Sequence, residues 1–472
     1  MTQLSYRTLD DGTTTLPEHA LAAFAPSISG GVLQPGDPDY DQARQVWNGM
    51  VDRHPALIAR CENSEDVRNA ILFAKAQRML LSVRGGGHHI AGNAVAEQGL
   101  MIDLSSMRGV EIDPAARRAY VQPGALLGDL DKASQAHGLA TPTGINSTTG
   151  VAGLCLGGGF GWLTRKYGMT VDNLVGAELV DADGQLHQVS TQHEQDLFWA
   201  IRGGGGNFGV VTRFEFALHP VGPEVSTGLV VYPLEQARQV LQAWREFCAA
   251  APLELSVWAV LRQAPPLPFL PEAAHGQPVV ILAALHCGEV EAGEQAIKPL
   301  LDFGQPLGSA LGAQPYAAFQ QAFDPLLASG ARNYWKSHNL GQISDKLIDV
   351  AVDAATHLPT PETEVFIAQL GGAAADVQPD ATAYVGRDAN FVMNVHGRWQ
   401  QPEDDERVRN WARMLFEEVR PFATGGGYVN FFTADENERT QSAYGTNYPR
   451  LQALKRRYDP ENLFRLNLNI QA

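Results

Sequence analysis

Residues 83–93 read VRGGGHHIAGN, three glycines running directly into two histidines. Several kinds of chemistry suit that arrangement. Successive glycine N–H groups make a concavity that accepts anions such as a diphosphate. A histidine at its end can ligate a metal, act as a base, or attack an electrophile. A metal would need Asp, Glu or Cys ligands at a usual spacing, and the segment has none. Without the glycines, a loop would simply accommodate a His-His pair. With them, the histidines stand beside whatever the diphosphate carries.

Glycine is also dense from residue 141 to 220. The stretches TPTGINSTTGVAGLCLGGGFGWLTRKYG and FWAIRGGGGNFGVVTRFEFAL both allow a backbone to pass close to something flat or polyanionic. Gly204, Gly206 and Gly209 match the G-x-G-x-x-G spacing of a nicotinamide-dinucleotide site. That motif opens a helix, whereas VVTRFEFAL continues as a strand, so the reading fails and a tight glycine turn is expected.

The elements that must hold these loops alternate. ALIARC reads as a strand. Ser64 caps the helix EDVRNAILFAKAQRM, whose Val67, Ala70, Ile71 and Ala74 share one face. LLSVRG is the strand that delivers the glycine-histidine loop, and GLMIDLSSM is the next. A hairpin turns at Asp113-Pro114, the helix LLGDLDKASQAHG stops at Gly138, and another hairpin turns at Asp183-Gly184. Beyond Pro220 come the strands TGLVVY, LELSVWAVL, PVVILAALHC, EVFIAQLGG and ANFVMNVHGRW with amphipathic helices between them, an α+β domain.

The length, 472 residues with 44% hydrophobic, fits two or three domains with sizeable cores. A formal charge of -17 disfavours nucleic acid and anionic membranes as partners. Cys61, Cys155, Cys248 and Cys287 form no CxxC pair, so neither a zinc site nor a disulfide scaffold is indicated. With no basic n-region or long apolar run, the sequence reads as soluble and cytoplasmic.

Four blocks in this order, RGGGHH, GVAGLCLGGGFGWLTRKYGMTVDNL, DLFWAIRGGGGNFGVVTRFEF and NYPRLQALKRRYDPENLFRLNLNI, span nearly the whole chain. Together they resemble the berberine-bridge-enzyme-like branch of the vanillyl-alcohol oxidase superfamily, with its p-cresol-methylhydroxylase (PCMH) type FAD domain. The resemblance implies a two-domain α+β FAD-linked oxidase fold. An FAD-binding domain would occupy 1–220, a substrate domain with an antiparallel sheet covered by helices 221–425, and a C-terminal segment, 426–472, would return to the first domain.

The resemblance also implies cofactor contacts. In the first block they are Arg84, Gly85, Gly86, Gly87, His88, His89 and Asn93. In the second, and just before it, they are Thr149, Gly150, Gly153, Leu154, Cys155 and Gly158. Val210, Asn467 and Asn469 complete the set. His88 would be joined to the flavin 8α carbon, with His89 as the less favoured candidate. The family's second linkage, from a cysteine, falls on Asn146 when counted back from Gly157-Gly158-Gly159, so a single bond is expected and Cys155 is read as a small buried residue.

The family's catalytic tyrosine is replaced by Phe431 in Tyr428-Val429-Asn430-Phe431. A phenyl ring cannot take a proton. Tyr428 could move into that role, Tyr334, His338, Arg387 or His396 could act instead, or the substrate could need no strong base, as a neutral amine oxidised by hydride transfer alone would not. Each has a bland alternative: Tyr334 and Trp335 as core aromatics, Arg387-Asp388 as a surface ion pair, His396 as packing. Asn467 and Asn469, two apart, would face one side of an extended tail.

The implied reaction moves a hydride from a small alcohol, hemiacetal or amine to covalent FAD, which O2 reoxidises to give H2O2. A flavin dehydrogenase using another acceptor and a catalytically idle flavoprotein are the alternatives. No metal is expected.

Overall fold

The computed structural model describes residues 4–472. In the first lobe, β1 (Val32–Leu33), β2 (Leu57–Arg60), β3 (Leu81–Arg84) and β4 (Leu100–Asp103) form a sheet in the order β1-β2-β4-β3. β2 and β3 both run parallel to the β4 strand between them. The crossover from β2 to β3 is α1 (Ser64–Ala76), which buries Val67, Ala70, Ile71 and Ala74 as its periodicity predicts. Its cap differs from the expectation. Asn63 accepts from the Asp66 N–H at 2.9 Å, while Ser64 lies inside the helix and donates to Glu178.

A second, antiparallel sheet contains β5 (Val110–Asp113), β6 (Arg118–Val121), β7 (Leu174–Val180), β8 (Leu186–Ser190) and β9 (Val210–Ala217), in the order β8-β7-β9-β6-β5. The expected hairpins are β5-β6 and β7-β8. GGGGNFG leads into β9, a strand and not a helix. Around this sheet lie α2 (Leu127–Gln135), α3 (Val151–Leu156) and α4 (Gln195–Ile201).

The second lobe is a seven-stranded antiparallel sheet. It comprises β10 (Glu224–Pro233), β11 (Leu255–Gln263), β12 (Pro278–His286), β13 (Gly308–Pro315), β14 (Arg332–Leu340), β15 (Glu364–Gln369) and β16 (Phe391–Trp399), ordered β13-β10-β12-β11-β15-β16-β14. Two of these, β13 and β14, go beyond the five strands read from sequence. The first alternates Gly, Ala and polar residues, and the second is broken up by Asn, Lys, Ser and His.

Period-two alternation divides the sheet into two faces. Phe391, Met393 and Val395 of β16 pack on the helices α5 (Ala237–Ala250), α6 (Asp345–Thr356) and α7 (Asp405–Val419). Val392, facing the other way, joins Trp258, Ala368 and Phe160 in a cluster shared with the first lobe. Every residue of β16 is therefore buried.

The C-terminal helix α8 (Tyr448–Tyr458) returns to the first lobe, where Leu451, Leu454, Tyr458 and Ile470 enter its core. Lys455, fully buried, bonds Asp459 at 2.7 Å, the Asn207 carbonyl at 2.9 Å and the Phe464 carbonyl at 3.1 Å, which fixes the tail against the GGGGNFG turn. No helix among the described residues is long and apolar enough to cross a membrane.

Candidate active site

Between the lobes lies a cavity of about 330 Å³. One end is glycine: Gly85–Gly87 after β3, Thr149 and Gly150 before α3, Gly153 on α3, and Gly205 and Gly206. The other end is the first-lobe-facing side of β11, β14, β15 and β16. Phe464, Leu466, Asn467 and Leu468 of the tail form a side wall.

The glycine end has the character of a phosphate cradle. The two loops cross so closely that a Cβ on Gly86 would lie 2.3 Å from the Gly150 nitrogen. The Gly86, Gly87 and His88 amides donate to no backbone carbonyl among the described residues, which leaves N–H groups for an anion. A Cβ on Gly153 would meet no protein atom within 4 Å, so that wall is open to a flat ligand.

His88 and His89 differ in their ring nitrogens. His89 Nδ1 accepts from the Ala91 N–H at 3.2 Å, so its Nε2 carries the proton toward the Val429 carbonyl, 3.4 Å away. Its lone pair is in use. His88 Nε2 lies 3.2 Å from Thr148 Oγ1, and that hydroxyl donates its own proton to Asn146 Oδ1 at 2.6 Å. His88 must therefore donate from Nε2, which leaves the lone pair on Nδ1. Its half-buried ring stacks on Trp47 at 4.5 Å. Desolvation, helped by Arg398, pushes its pKa down to about 3 and holds the imidazole neutral.

On the sheet wall, Asn394 and His396 lie two apart on β16 and project to one side. In the strand register, Trp335 of β14 and Glu364 of β15 both stand opposite His396, and Phe366 stands opposite Asn394. His396 Nδ1 is 3.0 Å from Glu364 Oε1, and Arg262 binds Glu364 Oε2 at 2.6 Å. Burial alone would raise the Glu364 pKa, but Arg262 and His396 reverse this and bring it to about 2. Burial lowers the His396 pKa, and Glu364 opposes that shift. Four buried polar atoms on this wall have no partner among the described residues: His396 Nε2, Asn394 Oδ1, Trp335 Nε1 and Trp258 Nε1.

The remaining sequence candidates divide sharply. Asn93, Leu154, Val210 and Asn467 line the cavity, as do Tyr428 and Phe431. The Tyr428 hydroxyl accepts from the Gly159 N–H at 3.1 Å and from Asn430 Nδ2 at 2.9 Å, and burial raises its pKa. It stays protonated and anchored to a loop. Cys155, Gly158, Arg84 and Asn469 do not reach the cavity wall. Cys155 is buried in the core around α3, where desolvation raises its thiol pKa. Gly158 sits against the Tyr384 ring. Arg84 turns away to the Ala43 carbonyl. Asn469 fails to follow Asn467 because the tail is not extended there, and period-two facing does not apply.

Tyr334 is displaced for a different reason. As an even-numbered residue of β14 it faces the helices, where its hydroxyl donates to Asp435 at 2.7 Å and accepts from Arg413 at 3.0 Å. His338, on the same face, is 2.8 Å from the Phe416 carbonyl. Arg387 is not a surface partner of Asp388. It forms a buried two-point bridge to Asp172, at 2.7 and 2.6 Å.

The sequence matches the FAD binding domain model over residues 55–190 and the berberine and berberine-like model over residues 427–471. An FAD-linked oxidoreductase of Dictyostelium discoideum is 31% identical over 453 residues, covering 95% of this chain and 96% of its own. The chain belongs to the berberine-bridge-enzyme-like FAD-linked oxidoreductases. The (R)-6-hydroxynicotine oxidase of Paenarthrobacter nicotinovorans is 30% identical over 469 residues, 94% of this chain and 97% of that protein. The crystal structure of 6-hydroxy-D-nicotine oxidase from Arthrobacter nicotinovorans superposes with a TM-score of 0.84 at 28% identity, covering 94% of this chain and 98% of that one.

In this FAD-linked oxidoreductase the residues present fit the cofactor. The crossing glycine loops suit its diphosphate and the open Gly153 wall suits its ring system. Sequence reading missed Glu364, Asn394, Trp258 and Trp47 on the cavity wall. An acidic residue opening an otherwise apolar strand, and an Asn in the middle of another, were the signals that could have found the first two.

Proposed function

We propose that this FAD-linked oxidoreductase carries FAD covalently on His88 Nδ1 and oxidises a small organic alcohol, hemiacetal or amine, with O2 as the final acceptor and H2O2 as the product. The observation that carries this reading is the neutral His88 at the end of the glycine cradle, its Nε2 held by Thr148, with the lone pair of His89 engaged elsewhere. Bound there, FAD would take two electrons and a hydrogen from a substrate carbon and return the electrons to O2.

The protein's own contributions are distinct. The Gly86, Gly87 and His88 amides hold the diphosphate. Trp47 stacks on His88 and fixes the plane of its ring. Phe160, Phe431 and Tyr428 pack edge-on against one another at the cavity wall and exclude water.

Mass spectrometry of the purified protein after denaturation tests the linkage. FAD mass should remain on the peptide containing His88, with Cys155 unmodified. FAD lost on denaturation sinks the covalent part. Turnover in air without peroxide, but with an artificial acceptor, sinks the oxidase part in favour of a dehydrogenase.

A further inference from the structure

The missing tyrosine leaves open what accepts a proton and what kind of substrate needs it to. We propose that Glu364 and His396 form the proton-accepting pair of the site, and that the substrate is an alcohol with a flat, apolar body rather than an amine or a sugar. The proposal rests on the FAD-dependent oxidation argued above.

The geometry is that of an oriented base. Glu364 holds the Nδ1 proton at 3.0 Å, so the lone pair of His396 lies on Nε2, which is buried on the cavity wall without a partner. Arg262 fixes the other carboxylate oxygen at 2.6 Å. The carboxylate therefore stays charged and stabilises the imidazolium that forms when Nε2 takes a proton. Trp335, opposite His396 in the register and 4.4 Å away ring to ring, brings an unpartnered indole N–H to the same wall of the cavity. A base and a donor side by side suit one oxygen that loses its proton while becoming a carbonyl.

The step balances. The alcohol O–H proton passes to Nε2 as the C=O bond forms, and the hydrogen on the carbinol carbon leaves with its electron pair to FAD. The carbon is oxidised by two electrons, and FAD is reduced by two. A neutral amine can be oxidised without prior proton removal and would leave this pair unused. An ammonium ion would meet a carboxylate already ion-paired with Arg262.

The rest of the wall selects against a sugar. Trp258, Trp335, Phe366, Phe160 and Phe431 line the cavity together with the four unpartnered polar atoms, and among the described residues no Lys or Arg lines it. A sugar has a hydroxyl on nearly every carbon. Those beyond the reach of the four unpartnered atoms would be buried unpaired here, at about 1–3 kcal/mol each.

The test is anaerobic mixing of the yellow protein with benzyl alcohol, cinnamyl alcohol, benzylamine and glucose, following flavin bleaching. The alcohols should bleach fastest. His396→Gln should slow that bleaching by about 100-fold while reduction by dithionite and reoxidation in air stay unchanged. Glu364→Gln should move the acid-side fall in rate to lower pH, because the carboxylate raises the His396 pKa against the lowering by burial and by Arg262 and Arg398. Arg398 itself is paired with Glu362.

Faster bleaching by the amine or the sugar, or an alcohol rate within about twofold of wild type in His396→Gln, overturns the proposal. If none of the four bleaches the flavin, titration of its absorption decides. Phenol should bind about tenfold more tightly than glucose, and equal binding overturns the proposal. A colourless protein would instead sink the FAD reading. Calorimetry would then compare phenol with glucose, with the same preference expected and equal binding again overturning the proposal.

Discussion

Two glycines on the same cavity should respond oppositely to a single methyl group. At Gly86 the new Cβ would lie 2.3 Å from the Gly150 nitrogen and 2.5 Å from its Cα. Ordinary contact begins near about 3.5 Å, so the two loops must part by roughly 1 Å. Overpacking of that kind costs about 1–3 kcal/mol. At about 1–2 °C per kcal/mol for a protein of this size, Gly86→Ala should lower the Tm of the protein by about 1–6 °C even without flavin.

At Gly153, inside α3, the new Cβ meets no protein atom within 4 Å. Alanine favours the helix by about 1 kcal/mol, so flavin-free Gly153→Ala should melt slightly higher than wild type. The methyl nevertheless stands on the wall where the flavin must lie. The same overpacking range implies about 5–150-fold weaker capture of FAD. The assay is thermal melting of flavin-free protein together with the ratio of flavin to protein absorbance after expression. A Gly153→Ala protein with full flavin content would refute the placement of FAD against α3.

Other outcomes follow from single contacts. His88→Ala should release all flavin on denaturation, read as loss of the FAD mass from that peptide. Arg387→Met should cost about 3 kcal/mol, because it removes the ion partner of Asp172, whose side chain is only 10% exposed, and the loss is measured by denaturant unfolding. Asp131 of α2, buried against Gln320 of the second lobe, has its pKa raised by burial to about 7, with Gln320 and Thr143 opposing the shift. Its folded pKa lies above the unfolded value near 3.8, so its contribution falls as pH rises from about 4 to 7. Asp131→Asn should therefore gain Tm relative to wild type between pH 5 and pH 8, and a constant difference across that range would contradict the assignment.

The glycine-histidine loop, the strands that deliver it and the failed dinucleotide motif were all legible in the sequence, because glycine runs and strand periodicity are local signals. His396 could be singled out but not explained. Its partner Glu364 is 32 positions away and meets it only through the pairing of β15 with β16. Tyr334 misled for the complementary reason. Nothing in RNYWKSHNL reveals which alternate set of side chains meets the helices until the sheet is assembled. The Ser64 cap was off by one because Asn63 is as good a cap and precedes it. The tail asparagines separated because a bent segment has no fixed period.

The two-faced sheet has a bearing on how such a catalyst can diversify. The side chains that would touch a substrate, Trp258, Trp335, Phe366 and Asn394, hang from strands whose intervening residues are locked among α5, α6 and α7. Exchanging one set leaves the other untouched, so substrate range can drift through point changes while the scaffold behind it keeps its stability. A one-residue insertion in β16 would do the reverse, turning its packing residues toward the reaction and its reactive residues into the core.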